Sequence, residues 1–455
     1  MKAIFLVPER SAQGFEDMMW LRTQEMSETL RGLGVEVQEL DMGALPTMSA
    51  ADLHGRIRSF RPDFVTAPNF NYYLLAGLRK GLHELFEDTG AQVAALWDDP
   101  LGALANFLQR QTMTEQAAAP PAWSSRLGRL VARAQRRLGL EEPVPPPPER
   151  DALAFFRRLA SAPHVQHFAW DSGHQATVAA LGIAPPERIH WYVLPTFRAF
   201  LDQGLRRDGA ETRDVAFCGN LYPDMLERSP FFADPELRAI VEEVCAAKLA
   251  ELDRSSFELL GEALERRPAD VRARLGLEPR RQRYWDFYLF VVWQAVNTRV
   301  RIALLTGVRH EIEVFGMFAD PSSVERLGAY GNLHYEGNAP HFDGLPGVYA
   351  STRVNVCVGN ALIHRGLPSK LLDCLAAGGF ALSDPKQDLV RVFGEDVRRI
   401  FFRDPDELGE RIDHFLAHPR ERREIVGCML PVLRERCTLV AAFRTVLDVM
   451  GSKGA

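Results

Sequence analysis

The stretch from Arg353 to Asp384 reads RVNVCVGNALIHRGLPSKLLDCLAAGGFALSD and carries the signals of a strand, a loop, a helix and a second strand. Alternating valines predict a strand that ends at Gly359-Asn360. Pro368-Ser369 predicts the helix start, because proline suits a first helical turn and serine an N-cap. The helix has an apolar stripe of leucines and ends at Gly378-Gly379, before a buried strand that begins at Phe380.

The loop and helix start in this stretch carry side chains suited to an anionic ligand. In a parallel sheet, anions bind where a strand ends and the next helix begins. Arg365, Ser369 and Lys370 lie at that point, and Asp373 follows one turn into the helix. The pattern predicts a phosphate-bearing ligand, with the Asp373 carboxylate on a sugar hydroxyl. An ordinary surface ion pair between Lys370 and Asp373 would explain the same residues without a ligand.

The segment RGLPSKLLDCLAAGG resembles the donor-nucleotide motif of retaining GT-B glycosyltransferases. In that motif two acidic residues, separated by seven others, precede a small glycine-containing turn; here Arg365 stands at the first acidic position and Asp373 at the second. This departure resembles the spore-maturation (CgeB-like) branch, in which a basic residue followed by an aromatic-Glu pair takes up the motif. The resemblance implies that Lys370 is the matching basic residue and that Asp373 binds the ribose.

The similarity continues, in the expected order, over roughly residues 210–450. Asp214–Asn220 (DVAFCGN), Glu311–Met317 (EIEVFGM) and Leu333–Asn338 (LHYEGN) resemble the core strands that precede the donor motif. The resemblance implies an α/β fold of the GT-B type, with two Rossmann-like domains facing a central cleft. It also implies that the C-terminal domain binds a nucleotide sugar and the N-terminal domain the acceptor.

Three predicted strands end in the dipeptide Gly-Asn, at Gly219-Asn220, Gly337-Asn338 and Gly359-Asn360. Glycine lets backbone N–H groups approach a ligand closely, and asparagine tolerates the turn conformation. Simple turn chemistry is the alternative. We expect at least two of the three pairs to line the cleft. The predicted donor-nucleotide residues are Gly219, Asn220, Gly337, Asn338, Ser369, Lys370 and Asp373.

Strand and helix signals alternate in the first half, which implies a parallel sheet wrapped by helices. We therefore expect an N-terminal acceptor domain over residues 1–205 and a C-terminal donor domain over 206–455, with a helical insertion at about 221–307. An Arg/Pro-rich excursion at 114–149 interrupts the first domain. Its basic helix, Arg126–Arg137, is typical of a membrane-surface element. A helix that packs on the N-terminal domain with solvated arginines is the alternative.

Candidate catalytic groups follow predicted strands. Asp98 and Asp99 come after the strand ending at Trp97, where adjacent carboxylates can orient or deprotonate an acceptor hydroxyl. A turn with an N-cap is the alternative for this pair. His364 and Arg365 lie in the donor loop, and we expect them to assist Lys370 in neutralising a departing diphosphate.

A second cluster, His167, Asp171 and His174, follows a later strand and has either a catalytic or a capping and structural role. No D-x-D sequence has flanks suited to a metal site, so we expect metal-independent catalysis, as the resemblance also implies. A retaining outcome is implied by the resemblance alone.

Composition narrows the class of protein. The chain has 455 residues, 46% hydrophobic and 25% charged, and a net charge of -6, which argues against general nucleic-acid binding. No apolar run reaches the roughly 18 residues of a membrane span, and MKAIFLVPER reads as a first strand and not as a signal peptide. Six cysteines without a C-x-x-C pair indicate reduced thiols in a cytoplasm.

These patterns predict a cytoplasmic glycosyltransferase that uses a nucleotide sugar, needs no other cofactor, and acts on a glycan, lipid or protein acceptor of a bacterial surface or glycosylation pathway. The alternatives are a sugar-nucleotide epimerase of the same architecture and a non-catalytic sugar-nucleotide-binding assembly protein. The basic Arg365 at a normally acidic position keeps the last alternative open.

Overall fold

A computed structural model describes residues 1–7, 15–41, 48–68, 86, 89–97, 158, 160–180, 182–206, 210–221, 230–279, 281–288, 292–316 and 321–452. Asp98, Asp99 and the excursion at 114–149 with its arginine helix lie outside these residues.

The first half of the chain is built on a parallel sheet of six strands in the order β2-β1-β3-β4-β5-β6. The apolar first strand is buried along almost its whole length, as a strand with a neighbour on each side requires. The elements are β1 Lys2–Val7, α1 Phe15–Gly32, β2 Glu36–Asp41, α2 Ala50–Phe60, β3 Phe64–Thr66, β4 Gln92–Trp97, β5 Val165–Ala169, α3 Ser172–Ala180, β6 Ile189–Trp191 and α4 Arg198–Arg206.

The second half is built on a separate parallel sheet of five strands in the order β11-β10-β7-β8-β9. Its first two strands are β7 Arg213–Cys218 and β8 Ile312–Phe315, and the described residues between them include five α-helices. These helices are α5 Pro235–Ala250, α6 Ser256–Glu265, α7 Ala269–Leu275, α8 Gln282–Phe287 and α9 Trp293–Thr306.

The remaining elements complete this half. They are α10 Pro321–Gly328, β9 Leu333–Gly337, α11 Leu345–Ser351, β10 Thr352–Cys357, α12 Ser369–Ala376, β11 Ala381–Ser383, α13 Gln387–Phe393, α14 Pro405–Ala417, α15 Pro419–Arg436 and α16 Leu439–Ser452. Two parallel sheets, each with its own helices, confirm the α/β class and the predicted pair of Rossmann-like units. None of the helices in the described ranges is both long and apolar enough to cross a bilayer.

The chain returns to the first half at its C-terminus. Helix α16 packs against α1 and β4, and it buries an apolar face of Leu439, Ala442, Phe443, Val446 and Met450. Just before it, Thr196 and Thr438 form a β-bridge. The last helix of the chain therefore packs on the N-terminal half.

Candidate functional site

Helix α12 begins at the carboxyl edge of the second sheet, where the sequence predicts the donor site. Pro368 has extended φ and ψ of -66° and 120° and occupies the N-cap position, so Ser369 is the first helical residue and not the cap that we expected. Leu371, Leu372 and Leu375 are buried behind the helix. Packing of this apolar face turns the polar start of α12 toward a cavity.

That cavity, which we call the main cavity, has a volume of about 540 Å³ and lies between the two halves. The second half supplies strand-end residues and the start of α12, and the first half supplies α1 and the segment after β6. Its lining is Leu21, Arg22, Leu194, Pro195, Phe197, Cys218, Gly219, Asn220, Phe315, Gly316, Asn338, Ala339, Pro340, His341, Phe342, Asp343, Leu345, Ser369, Lys370 and Asp373. Six of the seven predicted nucleotide-binding residues therefore line one cavity.

The ammonium group of Lys370 is fixed at the end of β7. Its Nζ donates to the Cys218 carbonyl oxygen at 2.7 Å and lies 5.8 Å from the centre of the Phe217 ring. Burial, assisted by the nearby Arg301, lowers the pKa of Lys370 to about 8. The side chain is thus a desolvated cation with further N–H groups for a ligand.

Asp373 lies deeper in the same cavity and is almost fully buried. Its Oδ1 accepts a hydrogen bond from the Thr196 hydroxyl at 2.8 Å. Burial raises the pKa of Asp373 to about 7, and the Thr196 bond, Arg22 and Lys370 only partly oppose this rise. Such burial is unlike that of an exposed helical ion pair, so the simple surface pairing with Lys370 does not describe this carboxyl group.

Two glycines bring the ends of β7 and β8 together at the cavity. The Gly219 N–H donates to the Phe315 carbonyl at 2.7 Å, and a Cβ on Gly316 would lie only 2.4 Å from the Gly219 oxygen. Gly337 does not line the main cavity; its carbonyl accepts from the Gly316 N–H at 3.1 Å. Glycine at 219 and 316 therefore permits a close backbone approach that a side chain would block.

The sequence interpretation missed the opposite wall of the main cavity. Arg22 lies 4.8 Å from the centre of the Phe197 ring, and Phe197 makes an edge contact with Phe342. Burial, with the charges of Arg22 and Lys370, lowers the pKa of the adjacent His341 to about 4, so the ring is neutral near pH 7. No local motif marks these residues, because they come from distant parts of the chain.

A second cavity of about 520 Å³ joins the first at Lys370. The two share Asn220, Ser369 and Lys370. The rest of the second lining is Trp293, Gln294, Asn297, Arg301, Cys357, Val358, Gly359, Asn360, Ile363 and Pro368. Helix α9 of the insertion thus forms one wall, and the Gly359-Asn360 pair forms another.

His364 does not lie at either cavity, contrary to our expectation. It is buried, and its ring makes an edge contact with the ring of His174 at 4.6 Å. Burial, followed by the proximity of His174, lowers the pKa of His364, so it is uncharged near neutral pH. A neutral ring outside both cavities cannot supply the leaving-group charge that we predicted.

Asp171 holds the donor loop, which connects β10 to α12, in place. This buried carboxylate accepts from the Gly173 N–H at 2.7 Å, the His364 N–H at 2.7 Å and the Arg365 N–H at 3.1 Å. Burial alone would raise the pKa of Asp171, but His174, His364 and the loop N–H groups lower it. The predicted cluster at 167–174 is therefore an anchor between α3 and the donor loop, with His167 separately bound to Trp97 at 2.9 Å.

The Arg365 side chain is exposed and lies in a different depression, with Arg254, Lys386 and Arg391 in its lining. The structure does not bring it to Lys370 in the main or second cavity. Within the described residues, no group of three or more His, Cys, Asp and Glu side chains is placed to hold a metal ion.

The sequence of residues 301–446 matches the family described as glycosyl transferase-like. The match includes Arg301, all of α12, and the strand β8 whose end lines the main cavity. No protein with a curated description is detectably similar in sequence to this chain.

Several solved structures are similar to the chain over nearly all of its length. A DNA-modifying β-glucosyltransferase is 11% identical, with a TM-score of 0.47, and covers 99% of this chain and 100% of its own. Anabaena Alr3699/HepE, solved with UDP-glucose, is 10% identical, with a TM-score of 0.47 and coverages of 99% and 100%. A Rickettsia africae glycosyltransferase is 9% identical, with a TM-score of 0.49 and coverages of 99% and 98%. Because their TM-scores are below 0.5, these structures add no support for the fold beyond that given by the sheet topology.

The family match overlaps the part of the chain that builds the cavities. The match agrees with two independent structural observations. One is the pair of parallel sheets, and the other is the polar start of α12 at the cleft between them. Residues 301–446 are glycosyl transferase-like, and the enzyme class of the protein is that of the glycosyltransferases.

Proposed function

We propose that the protein transfers a sugar from a nucleotide-sugar donor to a glycan, lipid or protein acceptor in the cleft between its two halves. One observation carries the proposal: Ser369, Lys370 and Asp373, all from the start of α12, line the same cavity at the strand ends. A helix start with a cation suits a diphosphate, and a carboxyl group one turn later suits ribose hydroxyls.

The rest of the main cavity suits the remainder of a nucleotide. The Phe197 and Phe342 rings and the neutral His341 offer an aromatic wall for a base, since planar rings stack on one another. Lys370 is the cation that binds the diphosphate and stabilises its charge as it departs. Arg365 is not part of this arrangement.

The finer features of the reaction are also part of the proposal. We infer a retaining, metal-independent transfer, related to the CgeB-like branch, whose basic residue Lys370 would match. Asp98 and Asp99, which lie outside the described residues, are proposed to orient the acceptor, because they directly follow β4 in the sequence. All six cysteines are unpaired, which supports a reducing, cytoplasmic location.

A thermal-shift screen against nucleoside diphosphates and nucleotide sugars tests the donor site. A ligand that binds the native state raises the unfolding temperature by mass action. We expect one nucleoside diphosphate and its sugar conjugates to stabilise the protein, and Lys370→Ala to abolish the shift. The exposed Arg420→Ala is the matched control and retains it.

An activity assay then distinguishes the three candidate functions. With the stabilising donor and no acceptor, a transferase releases sugar slowly to water, an epimerase changes the sugar without releasing it, and a binding protein does neither. The anomer of the released or transferred sugar, read by NMR, tests retention. Activity that persists in EDTA supports metal independence, and activity lost in EDTA and restored by a divalent cation contradicts it.

A further inference from the structure

Thr196 lies in the segment after β6, on the path of the chain from the first sheet to the second. Its neighbours Pro195 and Phe197 line the main cavity. Its N–H donates to the Cys437 carbonyl at 2.9 Å, and it forms a β-bridge with Thr438, where the chain returns toward the first half. The backbone of Thr196 is therefore fixed where the two passages of the chain between the halves meet.

The Thr196 side chain reaches the carboxyl group of the main cavity. Its hydroxyl donates to Asp373 Oδ1 at 2.8 Å, and both residues are almost fully buried. A hydroxyl donates only one hydrogen bond, so Thr196 holds Oδ1 and leaves Oδ2 to a ligand. Because Asp373 belongs to the cavity lining, the same carboxyl group can be held by the protein and contact a nucleotide.

Burial makes the charge state of Asp373 depend on this hydrogen bond. A hydroxyl that donates to a carboxylate stabilises the charged form, since charge-assisted hydrogen bonds are stronger than neutral ones. Burial raises the pKa of Asp373 to about 7, and the bond from Thr196 is the largest effect that opposes the rise. Loss of the hydroxyl would therefore leave this carboxyl group protonated at neutral pH.

Other titratable groups also face Asp373. Arg22 of α1 and Lys370 of the same helix lower the pKa of Asp373 through their charge. Three further groups have a pKa raised by burial and are neutral near pH 7; these are Tyr349, Cys357 and Cys374. Among these described groups, Thr196 is the one that lowers the pKa of Asp373 through a hydrogen bond.

We propose that Thr196 is a positioning residue of the nucleotide site, whose hydroxyl keeps Asp373 charged and aimed at the ribose. This inference rests on the proposed function and adds to it a residue, between the two sheets, that determines the pH range of donor binding. A charged carboxylate accepts hydrogen bonds from ribose hydroxyls more strongly than a neutral acid does. Nucleotide affinity therefore increases with pH as Asp373 ionises.

Calorimetry with the nucleotide sugar selected by the thermal screen measures this pH dependence. A nucleotide sugar is the better probe, because it lacks the terminal phosphate group that titrates near about pH 6. We expect its affinity to rise about three- to tenfold from about pH 5 to about pH 7, and Asp373→Asn to remove the rise. The pKa of Lys370 is about 8, so its loss of charge acts above this range.

Thr196→Val removes the hydroxyl with little change in side-chain shape. We expect the pKa of Asp373 to rise further, so that affinity at about pH 7 falls about three- to tenfold. The two proteins should bind equally near about pH 5, where Asp373 is protonated in both. Thr196→Ser keeps the hydroxyl and should retain the native curve. Thr352→Val is the matched control, because it removes a buried hydroxyl that donates to the Val348 carbonyl at the far end of β10.

Combining the substitutions separates an effect through Asp373 from a general loss of packing. Thr196→Val should change affinity little in the Asp373→Asn background, because coupled residues are not additive. Additive losses, a Thr196→Val curve equal to the native one, or native affinity without pH dependence overturns the inference alone. Thr196→Ala removes the same hydroxyl and is measured if the valine variant does not fold. Failure of every nucleotide sugar to bind the folded native protein overturns the proposed function as well.

Discussion

At the scale of single residues, Asp373 has an environment that a helix-surface carboxylate lacks. It is buried beside the main cavity, and it accepts a hydrogen bond from the hydroxyl group of Thr196, a residue that precedes the second sheet. Thr196 is in turn held by its own N–H, which donates to the Cys437 carbonyl at 2.9 Å. The position of the carboxyl group is therefore set before any ligand binds.

Replacing Asp373 with asparagine should weaken nucleotide binding by roughly tenfold or more, because a charged hydrogen bond contributes about 1.5–3 kcal/mol. Calorimetry with the nucleotide selected by the thermal screen measures this loss. Asp343→Asn, at the rim of the same cavity, is the control and should have a smaller effect. Unchanged affinity in folded Asp373→Asn would remove the carboxyl group from the binding site.

The raised pKa of Asp373 also predicts how the stability of the free protein depends on pH. The ordinary value is 3.8 and the folded value about 7, so between them the folded state keeps a proton that the unfolded chain has lost. The protonated Asp373 therefore adds to the free energy of unfolding below about pH 4. This contribution is lost as the pH rises toward 7, at up to about 1.4 kcal/mol per pH unit. Urea unfolding across this range should show a shallower decline for Asp373→Asn. Parallel curves for the two proteins would contradict the prediction.

At the scale of elements, the loop between β10 and α12 is held by hydrogen bonds to Asp171, a residue from the first half of the chain. Asp171 binds the backbone of residues 364 and 365, and the Ser172 N–H donates to the Asp388 carboxylate of α13 at 2.8 Å. The start of α3 therefore positions the loop that leads into α12. The catalytic interpretation of His364 fails for this reason, since its backbone and ring are part of the anchor.

Asp171→Asn should loosen this anchor while changing few atoms. The amide nitrogen would face an N–H donor, leaving a buried donor unsatisfied at a cost of about 1–3 kcal/mol. We expect a lower unfolding temperature and weaker nucleotide binding, because the start of α12 is no longer fixed. Asp202→Asn on α4 is the control and should leave both unchanged. A stable variant with normal affinity would show that the anchor does not position α12.

At the scale of the whole molecule, α16 ties the end of the chain to its beginning. Its buried face packs on α1 and β4, although it follows the second sheet in sequence. Ending the chain before Leu439 removes this face, and each large apolar side chain contributes about 1.5–3 kcal/mol when buried. We expect the truncated protein to unfold at a markedly lower temperature or to aggregate. Removal of residues 453–455 alone should have no effect, and full stability of the longer truncation would contradict the packing.

Contact with a membrane surface would also involve the whole molecule. If Arg126–Arg137 binds anionic lipid, each cation near the surface contributes about 1 kcal/mol, and salt screens the attraction. Co-sedimentation with liposomes should then require anionic lipid, decrease at high ionic strength and vanish when the five arginines are changed to glutamine. We expect no sedimentation, because the glutamates at 141 and 142 and the following prolines favour a surface helix with a soluble partner. Salt-sensitive sedimentation would instead support a membrane-proximal acceptor.

The sequence by itself determined the alternation of elements, the two parallel sheets and the group at the start of α12. These depend on local periodicity, on Gly and Pro signals, and on spacing within one helix. Only the tertiary structure decided that Asp373 and Lys370 are buried, that Arg22 and His341 face them, and that His364 and Arg365 point elsewhere. Burial and pairing depend on which distant segments pack together, and the contacts of Asp171 and Thr196 join residues more than 170 positions apart. No local pattern encodes such a contact, because its free energy depends on both segments being packed together.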